Sequence, residues 1–210
     1  MNENANDAKG PMKNAASLQE LMPDLLLNLE EGQKLQADTG LKDLFEDASE
    51  LLGDAEDFVL KVVRHLSKDS GVPAKTALSI ENNDIENIYA AAAKLYENGS
   101  YSSAYNLFRL LVMIDHFDYR FVFGMAACMQ TQGDFFQAAT TYLFSTSLEP
   151  DYAWSFFHAA ECYLKINEPG SALICLELCV KACKDEKFKL LAQRAQASAE
   201  KLRQKLEKTS

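Results

Sequence analysis

The histidines and cysteines are the side chains of this sequence with the widest chemical range. Its three histidines, His65, His116 and His158, form no recognisable nucleophile motif with a serine or a cysteine. The sequence also lacks the glycine-rich phosphate-binding motifs and the paired-histidine zinc motif of metalloproteases. We therefore expect no catalytic residues and no cofactor.

A row of three cysteines is the nearest approach to a metal site. Cys175, Cys179 and Cys183 are four residues apart and would share one face of a helix. Thiolates can hold zinc, but a structural zinc site uses four ligands, and no fourth ligand stands at a usual spacing. We expect packing residues that face a neighbouring helix, and no metal. A thiol- or metal-dependent enzyme remains a hypothesis that bound zinc would support.

Composition and charge narrow the classes of protein further. The chain has 210 residues, 48% of them hydrophobic, and a net charge of −10, which disfavours nucleic acid as a partner. No apolar run approaches the roughly 20 residues that span a bilayer, and the N-terminus lacks the apolar core of a signal peptide. Without a C-x-x-C pair, the cysteines fit a reducing compartment. We predict a cytoplasmic protein that does not insert into membranes.

A period of 34 residues organises the second half of the chain. Small residues recur at fixed positions, as do turn glycines and aromatic residues: Ala92, Ala126 and Ala160; Ala104, Ala138 and Ala172; Gly99 and Gly133; Phe108 and Tyr142. This pattern is typical of tetratricopeptide repeats, in which alanines allow two antiparallel helices to approach closely. We predict an all-α fold of three tandem repeats that forms a right-handed superhelix.

The predicted domain organisation follows from this period. Residues 83–186 form the repeat domain, with units at 85–118, 119–152 and 153–186, and residues 187–210 form a capping helix. Residues 1–16 have no periodicity and are predicted to be a disordered tail. Residues 17–82 are predicted to form a helical extension whose leucine-rich stripes need a partner. The sequence leaves open whether these stripes pack onto the repeats or form a dimer interface.

The first helix of each repeat is predicted to line a concave groove. The inward positions carry mainly aromatic and small residues, which suit pockets for the apolar or proline side chains of an extended peptide. The predicted contact residues are Tyr89, Ala93, Tyr96, Arg120, Phe123, Ala127, Trp154, Phe157 and Glu161. Because Arg120 is the only basic residue among them, a clamp for a C-terminal carboxylate is disfavoured.

Four phrases in and around these helices resemble the class II chaperones of bacterial type III secretion, which hold hydrophobic translocator proteins. The phrases are LYENGSY at 95–101, DHFDYRF at 115–121, GMAAC at 124–128 and FFHAAEC at 156–162, within a similarity over about residues 51–186. The sequence departs from that family in an N-terminal part some 40–50 residues longer, and in Asn167, which replaces a turn glycine. We expect Asn167 to change that turn and leave the fold intact.

The resemblance implies a non-enzymatic chaperone in the bacterial cytoplasm. It implies that the groove binds an extended translocator segment with spaced proline and leucine anchors. It also implies a homodimer formed through N-terminal helices, and, in some members, contact with secretion regulators or the export apparatus. The alternative is a general repeat scaffold or regulatory adaptor that joins folded proteins.

Overall fold

In the computed structural model, the described residues, 61–62 and 74–208, are arranged as a series of helices. A short helix α1 (Ala74–Ala77) precedes three hairpins: α2 (Asn82–Glu97) with α3 (Tyr101–Ile114), α4 (Tyr119–Gln132) with α5 (Phe135–Leu148), and α6 (Ala153–Lys165) with α7 (Pro169–Ala182). A 3₁₀ turn (Glu186–Phe188) leads into the last helix, α8 (Lys189–Glu207). The predicted tail at 1–16 and most of the extension at 17–82 lie outside the described residues.

The described part of the chain confirms the predicted all-α tetratricopeptide fold. From α2 to α8, every helix packs against the next one along the chain. The six periodic alanines of the prediction are all completely buried, so each lies where two helices come together. Within residues 61–62 and 74–208, no helix has the length and apolar character needed to cross a bilayer.

The three hairpin turns share one geometry. Gly99, Gly133 and Asn167 occupy equivalent positions and have positive φ angles of 82°, 94° and 60°. In each turn the next amide donates to the carbonyl five residues earlier, as Asp134 does to Met129 at 3.0 Å. This bond ends the helix by satisfying one of its last carbonyl groups. The prediction that Asn167 changes the turn is therefore wrong, because asparagine tolerates the left-handed conformation.

The core between the first two repeats contains one contact that only glycine permits. A Cβ atom on Gly124 of α4 would lie 2.4–2.6 Å from ring atoms of Phe108 on α3. The missing side chain thus lets the Phe108 ring pack close to the backbone of α4. Between α5 and α6, the buried hydroxyl of Ser145 pairs with that of Ser155 at 2.7 Å.

The helix α8 covers the end of the stack. Its buried residues, Leu191, Ala195 and Ala199, recur every four residues along one face. This face packs on α7 and also contacts α6. An ion pair from Arg203 to Glu177 of α7, at 2.6 Å, lies at the exposed edge of the contact. The helix α8 lies within residues 187–210, for which the sequence predicts a capping helix, and the bounds of that domain stay a prediction.

Candidate peptide-binding groove

We call the side of α2, α4 and α6 that carries the nine predicted contact residues the groove face. The 34-residue register places these residues at equivalent points on the three helices. Phe157 is only 6% exposed, so it forms part of a wall rather than an open surface. The others are half-buried: Tyr89, Ala93, Tyr96, Arg120, Phe123, Ala127, Trp154 and Glu161. This degree of burial leaves part of each side chain accessible from the face.

At the first-repeat end of the groove face, Arg120 is held by two carboxylates. Its guanidinium lies 2.6 Å from Asp118 and 2.7 Å from Glu86, and it stacks 5.0 Å above the ring of Tyr89. The hydrogen bond to Asp118 raises the pKa of Arg120 most, and the hydrogen bond to Glu86 raises it further. The bond between Arg120 and Glu86 also lowers the pKa of Glu86. The cation is therefore paired within the chain, and a ligand would meet a neutralised or slightly acidic group.

Sequence reasoning did not find this network, although a signal for it exists. Glu86 and Arg120 are 34 residues apart, so they occupy the same repeat position in consecutive first helices. Opposite charges at equivalent positions of stacked repeats are close enough to pair. The network links α2 to α4, while the Asp118 carboxylate also accepts from the Arg120 amide at the start of α4.

The middle of the groove face is a cluster of aromatic rings. The ring centroid of Phe123 lies 5.2 Å from those of Tyr142 and Tyr152 and 5.8 Å from that of His158. The His158 ring is stacked near-parallel with both Tyr142 and Trp154, at 5.4 Å and 5.7 Å. The cluster joins side chains of α4, α5 and α6, and so fixes the relative positions of the second and third repeats.

Polar groups within this cluster are satisfied by one another. His158 Nδ1 lies 2.9 Å from Glu161 Oε2, and the Tyr142 hydroxyl donates to Gln130 Oε1 at 2.8 Å. The bond with His158 lowers the pKa of Glu161, and the positive charge of Arg194 lowers it further. Glu161 is thus a carboxylate at neutral pH. The sequence placed Glu161 on this face but did not predict its histidine partner three residues earlier.

Small residues separate the aromatic side chains of the groove face. Ala93 and Ala127 are equivalent, half-buried positions on α2 and α4. Near Ala93, the ring of Tyr96 meets that of Tyr101 at 5.2 Å, in an edge-to-face contact. Large aromatic groups beside alanines are the composition expected of a surface that receives the side-chain anchors of an extended peptide.

The cysteine row has the character of packing residues. Cys175 and Cys179 are buried and Cys183 is half-buried. Burial raises the pKa of Cys175 to about 11 and that of Cys179 to about 12, so neither is an activated thiolate. Among residues 61–62 and 74–208, no group of three or more His, Cys, Asp or Glu side chains is placed to hold a metal ion.

The stacked hairpins and the aromatic groove face define a tetratricopeptide-repeat protein, and the tetratricopeptide repeat family model matches residues 85–118. The chain is 32% identical to the low calcium response locus protein H of Yersinia pestis over 129 residues, which are 61% of this chain and 77% of that protein.

Two solved structures are also similar. One is the type III secretion translocator chaperone SycD of Yersinia enterocolitica in an alternative dimer, with 31% identity and a TM-score of 0.58, covering 61% of this chain and 98% of SycD. The other is PcrH, a Pseudomonas aeruginosa protein, bound to the chaperone binding region of PopD. It has 28% identity and a TM-score of 0.58, covering 60% of this chain and 96% of PcrH. The chain therefore belongs to the family of type III secretion translocator chaperones, as the resemblance predicted.

Proposed function

We propose that this chain binds an extended segment of hydrophobic translocator proteins on its groove face and keeps them ready for export. The observation that carries the proposal is the cluster formed by Phe123, Tyr142, Tyr152, Trp154 and His158 between the second and third repeats. The half-buried rings of Phe123, Tyr152, Trp154 and His158 provide apolar contact area. The buried ring of Tyr142 packs behind Phe123 and His158 and holds them in position before a ligand binds.

At the first-repeat end of the groove face, the charges favour an apolar client segment over a charged one. Arg120 is neutralised by its two carboxylates. Specificity there would therefore come mainly from apolar client side chains that pack between the aromatic residues, near Ala93 and Ala127. The complex of PcrH with the chaperone binding region of PopD supports this choice of client.

We also propose that the chain acts in the bacterial cytoplasm as a homodimer without enzymatic activity. A net charge of −10 would oppose self-association of the chaperone–client complex. The crystallised dimer of SycD supports the proposed oligomeric state. The raised pKa values of the buried thiols support a non-enzymatic role, because thiol catalysis needs a thiolate. Secretion regulators and the export apparatus are further proposed partners.

The test is co-expression of the full chain with a hydrophobic translocator, followed by co-purification. Tyr96→Ala, Phe123→Ala and Trp154→Ala are each expected to weaken binding by about ten-fold, because each removes an aromatic anchor. Trp154 is the only tryptophan of the chain, so client binding to the unsubstituted protein should also change its fluorescence emission.

Phe136→Ala is the matched control, since Phe136 is 63% exposed at the start of α5 and forms no part of the groove face. It should retain the client at the level of the unsubstituted chain. Circular dichroism would establish that each variant is folded. If all three groove variants fold and still hold the translocator, the assignment of the groove face is wrong. Stable binding to a folded partner without an extended segment would favour the adaptor alternative.

A further inference from the structure

A cavity of about 420 Å³ lies where α8 meets α6, at the third-repeat end of the groove face. Its apolar wall comes from Phe157, Ala160 and Leu164 of α6 and Leu176 of α7. Phe157 and Leu164 are inward positions of the repeat register, so the cavity continues the groove face. Because α8 lies outside the 34-residue repeat, the sequence did not predict a cleft here.

Two opposite charges stand on different walls of this cavity. Glu161 is on the α6 side, where its hydrogen bond with His158 keeps it ionised. Arg194 is on the α8 side, and its guanidinium lies 5.1 Å above the ring of Phe157. The aromatic face supports the cation but does not neutralise it. The site is thus apolar at its base, negative on one side and positive on the other.

The positive side extends along α8. Lys205 lines a smaller cavity of about 180 Å³, which shares Leu164 with the first. Residues 184–210 contain 8 Lys and Arg against 4 Asp and Glu, whereas residues 1–84 contain 8 against 17. This C-terminal segment, which contains α8, is therefore a basic part of an acidic chain, and α8 borders the groove face. Charge complementarity favours an acidic ligand group on the α8 side.

We propose that this cavity binds an aliphatic side chain of the translocator segment, with a neighbouring Asp or Glu of the same segment paired to Arg194. This inference rests on the proposed function, and it specifies which kinds of client side chain bind at one end of the groove face. Glu161 repels an acidic residue from the α6 wall, so the two charges together set the direction in which the segment crosses the end of the groove face.

The experiment uses the full chain, and its probe is the shortest translocator segment that co-purifies with the unsubstituted protein. Ser198→Phe places a bulky ring in the cavity from an exposed position of α8, and is expected to weaken binding of the segment at least ten-fold. Gln193→Phe is the matched control, because Gln193 is exposed on α8 and does not line this cavity. It should change binding less than two-fold.

Charge reversal tests whether an acidic residue of the translocator segment pairs with Arg194. Arg194→Glu is expected to weaken binding about five-fold or more, whereas Arg203→Glu, with the same change in net charge, should leave binding within two-fold because Arg203 pairs with Glu177 outside the cavity. Changing the acidic residue of the segment to Lys should restore its affinity for the Arg194→Glu variant. This reciprocal rescue would not arise from a structural effect of Arg194 alone.

Each result separates this inference from the proposed function. If Phe123→Ala weakens binding but Ser198→Phe and Arg194→Glu do not, the cavity is not an anchor site and the groove function stands. If Ser198→Phe strengthens binding, the cavity is used by a competing segment of this chain, such as the leucine-rich and acidic residues 18–31, and the proposal is overturned. If no segment co-purifies with the unsubstituted chain, the proposed function falls and this site with it.

Discussion

Arg120 illustrates how far a residue's type and spacing determine its role. The repeat register predicted its place on the groove face, and the structure shows it half-buried near the start of α4. Its two carboxylate partners follow from the stacking of repeats, since Glu86 is on the preceding first helix and Asp118 precedes its own. A charged residue at a groove position of one repeat can therefore pair with an opposite charge at the same position of the next repeat, and not with a ligand. As a client contact, Arg120 stays a prediction.

Gly124 makes the most restrictive contact among the glycines of the described helices. A methyl group there would overlap the Phe108 ring, which is buried and has little room to move. We expect Gly124→Ala to reduce the free energy of unfolding by about 1–3 kcal/mol, because overpacking outweighs the better helix propensity of alanine. Urea denaturation monitored by circular dichroism would measure the change.

Two further substitutions test whether overlap with the Phe108 ring causes the loss of stability in Gly124→Ala. Gly170→Ala adds the same methyl group to a helix, but at a site with no atom within 4 Å, so it should be neutral or slightly stabilising. Phe108→Leu should cost less in the Gly124→Ala background than in the unsubstituted chain, because the smaller side chain makes room. Additive costs of the two substitutions would contradict the proposed contact.

At the scale of the elements, the hairpin turns allow a comparison within one chain. Asn167 adopts the left-handed backbone that Gly99 and Gly133 adopt in the other repeats. We therefore expect Gly133→Asn to be tolerated, whereas Gly133→Ala should cost about 1–2 kcal/mol because alanine is strained at a positive φ. Thermal or urea unfolding of the two variants would measure this difference.

The reverse substitution completes the comparison. Asn167→Gly should change the free energy of unfolding by no more than about 0.5 kcal/mol, because the turn and its hydrogen bond are retained. Equal losses of stability for Gly133→Asn and Gly133→Ala would mean that the backbone conformation is not what matters at this position.

The helical hairpins could be predicted from the sequence because one physical requirement recurs. Close helix packing needs a small residue at the same point of every repeat, so Ala92, Ala126 and Ala160 reveal both the period and the fold. The aromatic positions of the groove face follow from the same period. The cavity beside α8 could not be derived in this way, because it depends on how a helix outside the repeat packs against α6. The pairing of His158 with Glu161 likewise depends on side-chain conformation.

Across the whole molecule, buried thiols couple stability to alkaline pH. Burial raises the pKa of Cys128, Cys162 and Cys179 to about 12 and that of Cys175 to about 11, from a reference value of 9.0. These residues lie on α4, α6 and α7, so both the second and third repeats are affected. The folded chain keeps these protons at pH values where the unfolded chain releases them.

The sign of the effect follows from this difference in proton binding. At about pH 8 and below, the thiols are protonated in both states, because this is below their unfolded pKa of 9.0, and their contribution to stability is fully present. As pH rises towards the folded pKa values, the unfolded state loses protons first, and the free energy of unfolding should fall by up to about 1.4 kcal/mol per pH unit for each thiol. We therefore expect the urea midpoint, measured with reductant present, to decrease between about pH 8 and pH 10.5 and to recover when the pH is lowered.

Removing one buried thiol should make this decrease less steep. Cys128→Ala lowers stability at every pH because it removes a buried side chain, but its slope against pH should be smaller by the contribution of one thiol. Cys183→Ala is the control, and it should change the slope less than Cys128→Ala does. Cys183 is only half-buried, and a hydrogen bond with Cys179 partly offsets the increase in its pKa that burial causes. If Cys128→Ala retains the full slope of the unsubstituted chain, the alkaline instability arises elsewhere. The buried Tyr142 hydroxyl, whose pKa is also raised by burial, would then be the next group to replace, with Phe.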